Sequence, residues 1–308
     1  MISRRGALAG LGAGGALFLG RGVALAQATS YSRIVSVGGA VTETLFALGL
    51  GEKLRAVDTT STYPAEALQL PKVGYLRQLS AEGVLSMRPD LILLSSEAGP
   101  AAAIDQLEAS GIPLAQVPVG RSADGLSSMI NAVGDAAGFS DEAQRLAGNV
   151  ETQFNTLMDA LPSGPKKSVL LILSAGNGPL LGAGANTAAS AIIDFSGGAL
   201  AFPEMEGYKA ISMEPVLAAD PDWIVLPSHV CEALGGPEGV AKLDIVSRTT
   251  AGAEGRVAVI DSHYLLGFGP RVPMAAADLA SLLYPEAGIP TLGREAVPSS
   301  HVTVLGAR

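Results

Sequence analysis

The side chains able to do chemistry are few, and that scarcity narrows the options. The 308 residues hold three His (His229, His263 and His301) and one Cys, Cys231, which is too little for a His/Cys metal cage or a disulfide framework. What stands out instead is Tyr75 with Arg77 two positions on, in VGYLRQLSAEGVL, and Arg271 in LLGFGPRVP. A phenolate is a hard anionic oxygen donor that suits Fe(III). Free Tyr ionises only near pH ~10, so ligation near neutrality needs the metal, a neighbouring cation or both to favour the phenolate. If the stretch is extended, side chains two apart share a side, which brings Arg77 to the Tyr75 phenol. Taken alone, the same residues read as a half-buried loop aromatic beside a solvated charge. Arg271 follows Gly267 and Gly269 at a loop-to-helix junction, where glycines permit close backbone approach to a flat ligand. A cation there opposes the helix dipole, so a compensating partner is expected; a surface arginine is the plainer alternative.

Enzymatic motifs are missing. Gly182-Ala183-Gly184 opens GAGANT rather than GxGxxG, with no acid at the nucleotide distance, and Pro270 interrupts GFGP. No GxSxG elbow, P-loop or HExxH occurs. The expectation is a binding protein, not an enzyme. Nucleic acid is excluded as a partner by a formal net charge of −9 without a basic cluster.

The elements that must position these residues repeat. Ser80–Ser96 (SAEGVLSMRPDLILLSS) and Ser212–Ser228 (SMEPVLAADPDWIVLPS) align without a gap, with nine of seventeen positions identical. Each predicts a short helix with Ser as N-cap and Glu in its first turn, a Pro-Asp turn and a buried strand. Asp90 and Asp222 read as turn residues. Strands are expected at Ile34–Val37, Leu54–Val57, Leu91–Leu94 and Leu114–Val117 in the first half, and near Val169–Leu173, Ile224–Leu226 and Val257–Ile260 in the second. Helices are expected after Gly38-Gly39 and at Ala101–Ala109, Ala123–Ala137, Thr187–Phe195 and Pro273–Leu283. Alternating strands and helices make an α/β fold of two lobes with parallel sheets. Between them, apolar residues from Leu146 to Leu161 keep helical spacing, with Ser140 or Asp141 as cap and Pro162-Ser163-Gly164-Pro165 as stop.

The organisation expected is therefore a leader at 1–26, a first lobe at 27–138, one helix at 139–162 and a second lobe at 163–308. The leader has Arg4 and Arg5, an uncharged Gly6–Gly20 and Ala24-Leu25-Ala26, the pattern of a cleaved secretory signal. The Ser3-Arg4-Arg5 start leans toward twin-arginine export. The apolar run is too short to span a bilayer, and no Cys follows for lipidation. Removing three arginines and no acid takes the net charge to −12.

Over Ser32–Tyr284 the chain resembles the class III substrate-binding proteins of ABC importers, which carry haem, ferric siderophores or cobalamin. IVSVGGAVTETLFALGLG resembles the family's opening strand-glycine-helix unit, and the PDL and PDW turns fall where the family has them. The resemblance implies the class III periplasmic binding protein fold: two Rossmann-like lobes joined by a single long helix. The Tyr75 and Arg271 segments are similar to those of the haem carriers. The resemblance implies ferric haem b as cargo, Tyr75 as axial iron ligand, and Arg77 and Arg271 facing the cleft, where Arg271 bonds Tyr75 or a propionate. His263 is a candidate second ligand or gate, or a polar loop residue; His229 and His301 read as surface residues. Some carriers hold a second haem with a His after the first strand of the second lobe; here that stretch is Leu173-Ser174-Ala175-Gly176-Asn177, so one haem is expected. Asn186-Thr187 can cap a helix toward the cleft. Glu82 and Glu214 correspond to docking points for a permease dimer that works with an ATPase, or serve only as helix N-terminal charges. The implied setting is the periplasm, with a monomer receiving haem from an outer-membrane receptor. A siderophore or cobalamin carrier, an exported enzyme and a haem chaperone without permease are the alternatives.

Overall fold

The computed structural model describes residues 31–176, 178–293 and 301–306; the proposed leader lies outside them. The first sheet contains β1 (Ile34–Val37), β2 (Leu54–Val57), β3 (Leu91–Ser95) and β4 (Leu114–Val117), all parallel, in the order β2-β1-β3-β4. Helices α1 (Gly39–Ala47), α2 (Ala81–Ser86), α3 (Ala101–Ala109) and α4 (Ala123–Ala137) connect and cover it. The central strands β1 and β3 are nearly all apolar because both their faces are buried; the edge strands β2 and β4 expose Arg55 and Gln116. Val35, Val37, Ile92 and Leu94 pack with Val84 and Leu107 on one side. Ile34, Leu91 and Leu93 pack with Leu45, Met129 and Ile130 on the other.

Helix α5 (Ser140–Ala160) follows at once. Gly138, at φ +81°, closes α4 in the left-handed region, and α5 folds back along it. The two helices meet so closely that a Cβ on Gly134 would lie 2.1 Å from that of Ala143. Neither Ser140 nor Asp141 is the cap: Phe139 occupies that position without a side-chain bond, and Asp141 and Glu142 sit in the first turn, where their charge favours the helix dipole. The buried stripe Ala143, Ala147, Val150, Phe154 and Leu157 packs on α4 and on the helix Val272–Leu283. One apolar cluster thus runs from the first sheet through α4 and α5 into the second.

The second sheet is mixed. Strands β5 (Ser168–Ser174), β6 (Leu181–Ala183), β7 (Ala199–Leu200), β8 (Tyr208–Ala210), β9 (Trp223–Pro227), β10 (Val257–Ile260) and β11 (Val302–Leu305) form it, in the order β11-β10-β9-β5-β6-β8 with β7 on β5. The parallel set β10, β9, β5 and β7 is flanked by antiparallel β6, β8 and β11. These three are short and partly exposed, so they lack the apolar run that marks a parallel strand. Helices α6 (Ala188–Phe195) and α7 (Met213–Ala219) belong to this lobe.

The internal repeat becomes α2-β3 and α7-β9. Ser80 caps α2 through the Gly83 N–H at 3.3 Å, whereas Ser212 sits at the cap position of α7 without that bond. The two Asp residues do more than turn the chain. Asp90 accepts from the N–H groups of Ser32 and Arg33 and from the Ser32 hydroxyl, at 2.8–3.2 Å. Asp222 accepts from the Ser168 N–H at 2.8 Å. Each carboxylate thereby pins the entry to the first strand of its own sheet.

Candidate functional site

Tyr75 is placed by a turn, not by strand alternation. Val73 donates to the Val57 carbonyl at 3.0 Å, and the Gly74 carbonyl accepts from Thr59 at 2.9 Å. Gly74 then leaves the edge of the sheet at φ +107°. The Gln78 N–H closes back on the Tyr75 carbonyl at 2.8 Å. Leu76 and Leu79 are buried and anchor this turn, leaving Tyr75 40% exposed. Two further bonds, Gly99 N–H to Leu76 O and Leu79 N–H to Gly99 O, both 2.8 Å, fasten it to the turn that leaves β3. The expectation that Arg77 lies beside Tyr75 is met, though through a β-turn.

On that pair of turns sits a charged cluster. Arg77 Nη1 donates to the Tyr75 hydroxyl oxygen at 2.9 Å. Arg77 Nη2 pairs with one oxygen of Glu97, and Arg121, just beyond β4, pairs with the other. The Tyr75 bond, outweighing burial and joined by the charge of Glu97, pushes the Arg77 guanidinium further above its ordinary range. Glu97 and Arg121 were not singled out in the sequence, because nothing local marks them. Their sole signal is position at the C-terminal ends of parallel strands, where α/β folds bind ligands.

Burial pushes the Tyr208 phenol on β8 up, and both Arg121 and Glu97 act on it electrostatically. The Tyr208 hydroxyl also accepts from the Ala189 N–H of α6 at 3.4 Å. Thr187 caps α6 in a reciprocal box with Ser190, and Asn186 instead donates to Glu206 at 2.8 Å.

Arg271 goes elsewhere. It is only 6% exposed and makes no hydrogen bond to Tyr75. Its backbone N–H donates to Glu43 Oε1 at 3.0 Å and its Nη2 to Glu43 Oε2 at 2.9 Å. Its guanidinium carbon lies 3.3 Å from the Tyr63 ring centroid, so a π face covers the group, whose Nε and Nη1 have no hydrogen-bond partner among the described residues. Glu43 is on α1, so the pair ties the lobes together. It also supplies the compensation that a cation at the start of the helix Val272–Leu283 requires. Gly269 makes the approach possible: a Cβ there would fall 2.7 Å from the Glu43 carboxyl carbon.

His263 lies half-buried in the first turn of the helix Ser262–Leu266, and its ring makes no hydrogen bond among the described residues. Burial pushes its imidazole down, opposed by Asp261 and Asp58. His229 is exposed, with Nδ1 2.8 Å from the Ser262 hydroxyl and Nε2 3.2 Å from the Leu173 carbonyl. His301 is not a surface residue: it is half-buried and stacks on Tyr264 at 4.7 Å. Glu82 and Glu214 are exposed in the first turns of α2 and α7. Among the described residues no cluster of three or more His, Cys, Asp or Glu could hold a bare metal ion, and no helix is long and apolar enough to cross a membrane.

Comparisons with known proteins agree with this architecture. A solved periplasmic heme-binding protein, RhuT from Roseiflexus sp. RS-1, is 36% identical with a TM-score of 0.79, over 83% of this chain and 99% of that one. An uncharacterised ABC transporter substrate-binding lipoprotein of Bacillus subtilis is 28% identical over 259 residues, covering 82% of this chain and 80% of the relative. A vitamin B12-binding protein of Yersinia pestis is 30% identical over 201 residues, covering 65% and 70%. The model of the periplasmic binding protein family matches residues 34–264, spanning the first sheet, the helix between the lobes and all of the second sheet but β11, and the chain belongs to that family.

Proposed function

We propose that this chain carries ferric haem b in the periplasm and delivers it to the permease dimer and ATPase of an ABC importer. The observation that carries the reading is the exposed Tyr75 hydroxyl with the Arg77 guanidinium 2.9 Å from its oxygen. The residue is exposed, its oxygen is a hard donor when anionic, and a cation already lies against it. A Tyr oxygen is an attested axial donor to haem iron. A single phenolate also suits a carrier that must let go, because the arginine bond competes with the metal for the same oxygen lone pairs. Arg77 and Arg121 supply positive charge for the propionates.

Arg271 acts in this reading by holding the lobes, not by touching the iron or the phenol. His263, whose ring bonds to none of the described residues, is kept as a group within reach of the ligand. One haem is proposed, since no His follows β5 in the stretch 173–177; Asn177 lies outside the described residues. Export by cleavage of residues 1–26, action as a monomer, and supply from an outer-membrane receptor complete the proposal. Glu82 and Glu214 are its docking points on the two lobes. The vitamin B12-binding relative makes cobalamin the second reading.

Titration of the mature protein with hemin tests this. The expected result is a high-spin, tyrosinate-type ferric spectrum with an endpoint at one equivalent, lost in Tyr75→Ala. Cobalamin or ferric siderophore uptake with no hemin uptake would overturn it.

A further inference from the structure

After β2 the chain leaves the first sheet in a loop, 58–72, that is largely exposed yet tightly held. Asp58, fully buried, accepts from the Gly38 N–H, the Thr60 N–H and hydroxyl, and the Ser61 hydroxyl, at 2.6–2.9 Å. The Lys72 amine crosses the loop to the Ser61 and Ala67 carbonyls, at 3.0 and 2.8 Å, and Ala67 is its buried anchor. The Val57 N–H closes the base on the Pro71 carbonyl at 3.0 Å. What this frame presents is apolar. Leu68 is 53% exposed, the most exposed large hydrophobic side chain among the described residues, and Ala65 and Pro71 are exposed with it. A lone exposed leucine is ordinary. One carried on a loop that a buried carboxylate and a lysine hold in shape is preorganised, so a partner covering it has little chain left to order.

The charges nearby favour one kind of partner. Glu66, in the first turn of the short helix Ala65–Gln69, is exposed and has no ion pair among the described residues. The returning leg of the loop runs beside α2, where the Val73 carbonyl lies 3.9 Å from the place a Cβ on Gly83 would take. Glu82, next to Gly83, is likewise exposed and without an ion pair among the described residues. The loop's one cation, Lys72, is committed to the two carbonyls. An apolar knob with uncommitted carboxylates beside it fits a partner surface whose apolar recess is rimmed by Lys or Arg. The second lobe has no such loop before its own repeat helix, since only Ile211 and Ser212 separate β8 from α7.

We infer that loop 58–72 docks on the permease, with Leu68 entering an apolar recess of a subunit whose basic side chains meet Glu66 and Glu82. This rests on the importer reading and adds an apolar anchor to ion pairs that water and salt would screen.

The test measures the concentration of hemin-loaded protein that half-saturates transport in vesicles holding the permease and its ATPase. Leu68→Ser is expected to raise it about tenfold, the size of burying most of a leucine side chain, with hemin affinity and the unfolding midpoint unchanged. Leu68→Met should stay near wild type, and Leu68→Arg, a cation brought to a basic surface, should be worse than Leu68→Ser. Met158→Ser, which removes an exposed apolar side chain from α5, should change nothing. An equal loss in Met158→Ser would overturn the inference, as would a loss of hemin affinity in Leu68→Ser, which would place Leu68 at the ligand. A dimer that Leu68→Ser dissociates without altering half-saturation would make the occupant a second copy of this chain and overturn it too. If wild type drives no hemin transport, the importer reading falls and this inference with it. If wild type transports and Leu68→Ser half-saturates at the same concentration, this inference alone falls.

Discussion

Two arginines that look interchangeable in the sequence have opposite surroundings. Arg77, with a side chain 52% exposed, rests on a tyrosine hydroxyl and on a carboxylate that it shares. Arg271, with a side chain 7% exposed, has a carboxylate to itself and an aromatic face over it. An exposed pair is screened by water and salt and is easily rearranged. A buried pair has lost its hydration, so either partner alone is an uncompensated charge. The first arrangement suits contact with a ligand that comes and goes; the second suits a fixed joint between lobes. That contrast moves Arg271 from the ligand to the frame.

The sharpest way to break the comparison is Arg271→Met. Leaving Glu43 buried without its partner should cost about 3–5 kcal/mol in denaturant unfolding. The double variant Glu43→Leu/Arg271→Met should recover most of that, since an apolar pair of similar volume replaces a desolvated ion pair at little net cost. A loss below about 1 kcal/mol for the single variant would place Arg271 in the same class as Arg77.

A smaller effect is expected at Asp90. Burial alone would raise this carboxyl, but the bonds from Arg33 and Ser32 outweigh it and hold it below its ordinary value. A carboxyl lowered on folding stabilises the protein above its unfolded value, near 3.8, and that contribution is lost as the pH falls through the lower folded one. Asp90→Asn should therefore cost about 1–2 kcal/mol near neutrality, and the difference from wild type should shrink in unfolding measured at strongly acid pH. A difference that stays constant with pH would remove the ionised carboxylate from the account.

Smaller still is the effect of Glu97→Gln on stability, within about 1 kcal/mol by the same denaturation. A loss as large as that of Arg271→Met would erase the distinction drawn here. Glu82→Ala with Glu214→Ala should change neither stability nor hemin affinity measurably, while abolishing transport in vesicles reconstituted with the permease. Unaltered transport would end the docking assignment.

Local patterns carried much of the fold. The runs IVSV and LILL are central strands of the first sheet, buried on both faces and so nearly all apolar, whereas the edge strands LRAV and LAQV each carry one exposed polar residue, Arg55 and Gln116. The helix at Ser140–Ala160 was legible from its spacing and the repeat from its identities. β6, β8 and β11 were not: β6 and β8 are only three residues long, and β11 is partly exposed and pairs with β10, some forty residues before it. His301 was misread for the same reason: the ring that covers it, Tyr264, is remote in sequence.

The sequence by itself determined the α/β class and the two-lobe repeat, both of which rest on local pattern and periodicity; it put Arg77 near Tyr75, but by an extended stretch where the structure has a turn. Only the tertiary structure decided which charges meet. Glu43 and Arg271 are 228 positions apart, and Glu97 joins Arg77 to Arg121 across three loops. Ion pairing depends on distance in space and on the water left around each charge, and a linear pattern encodes neither.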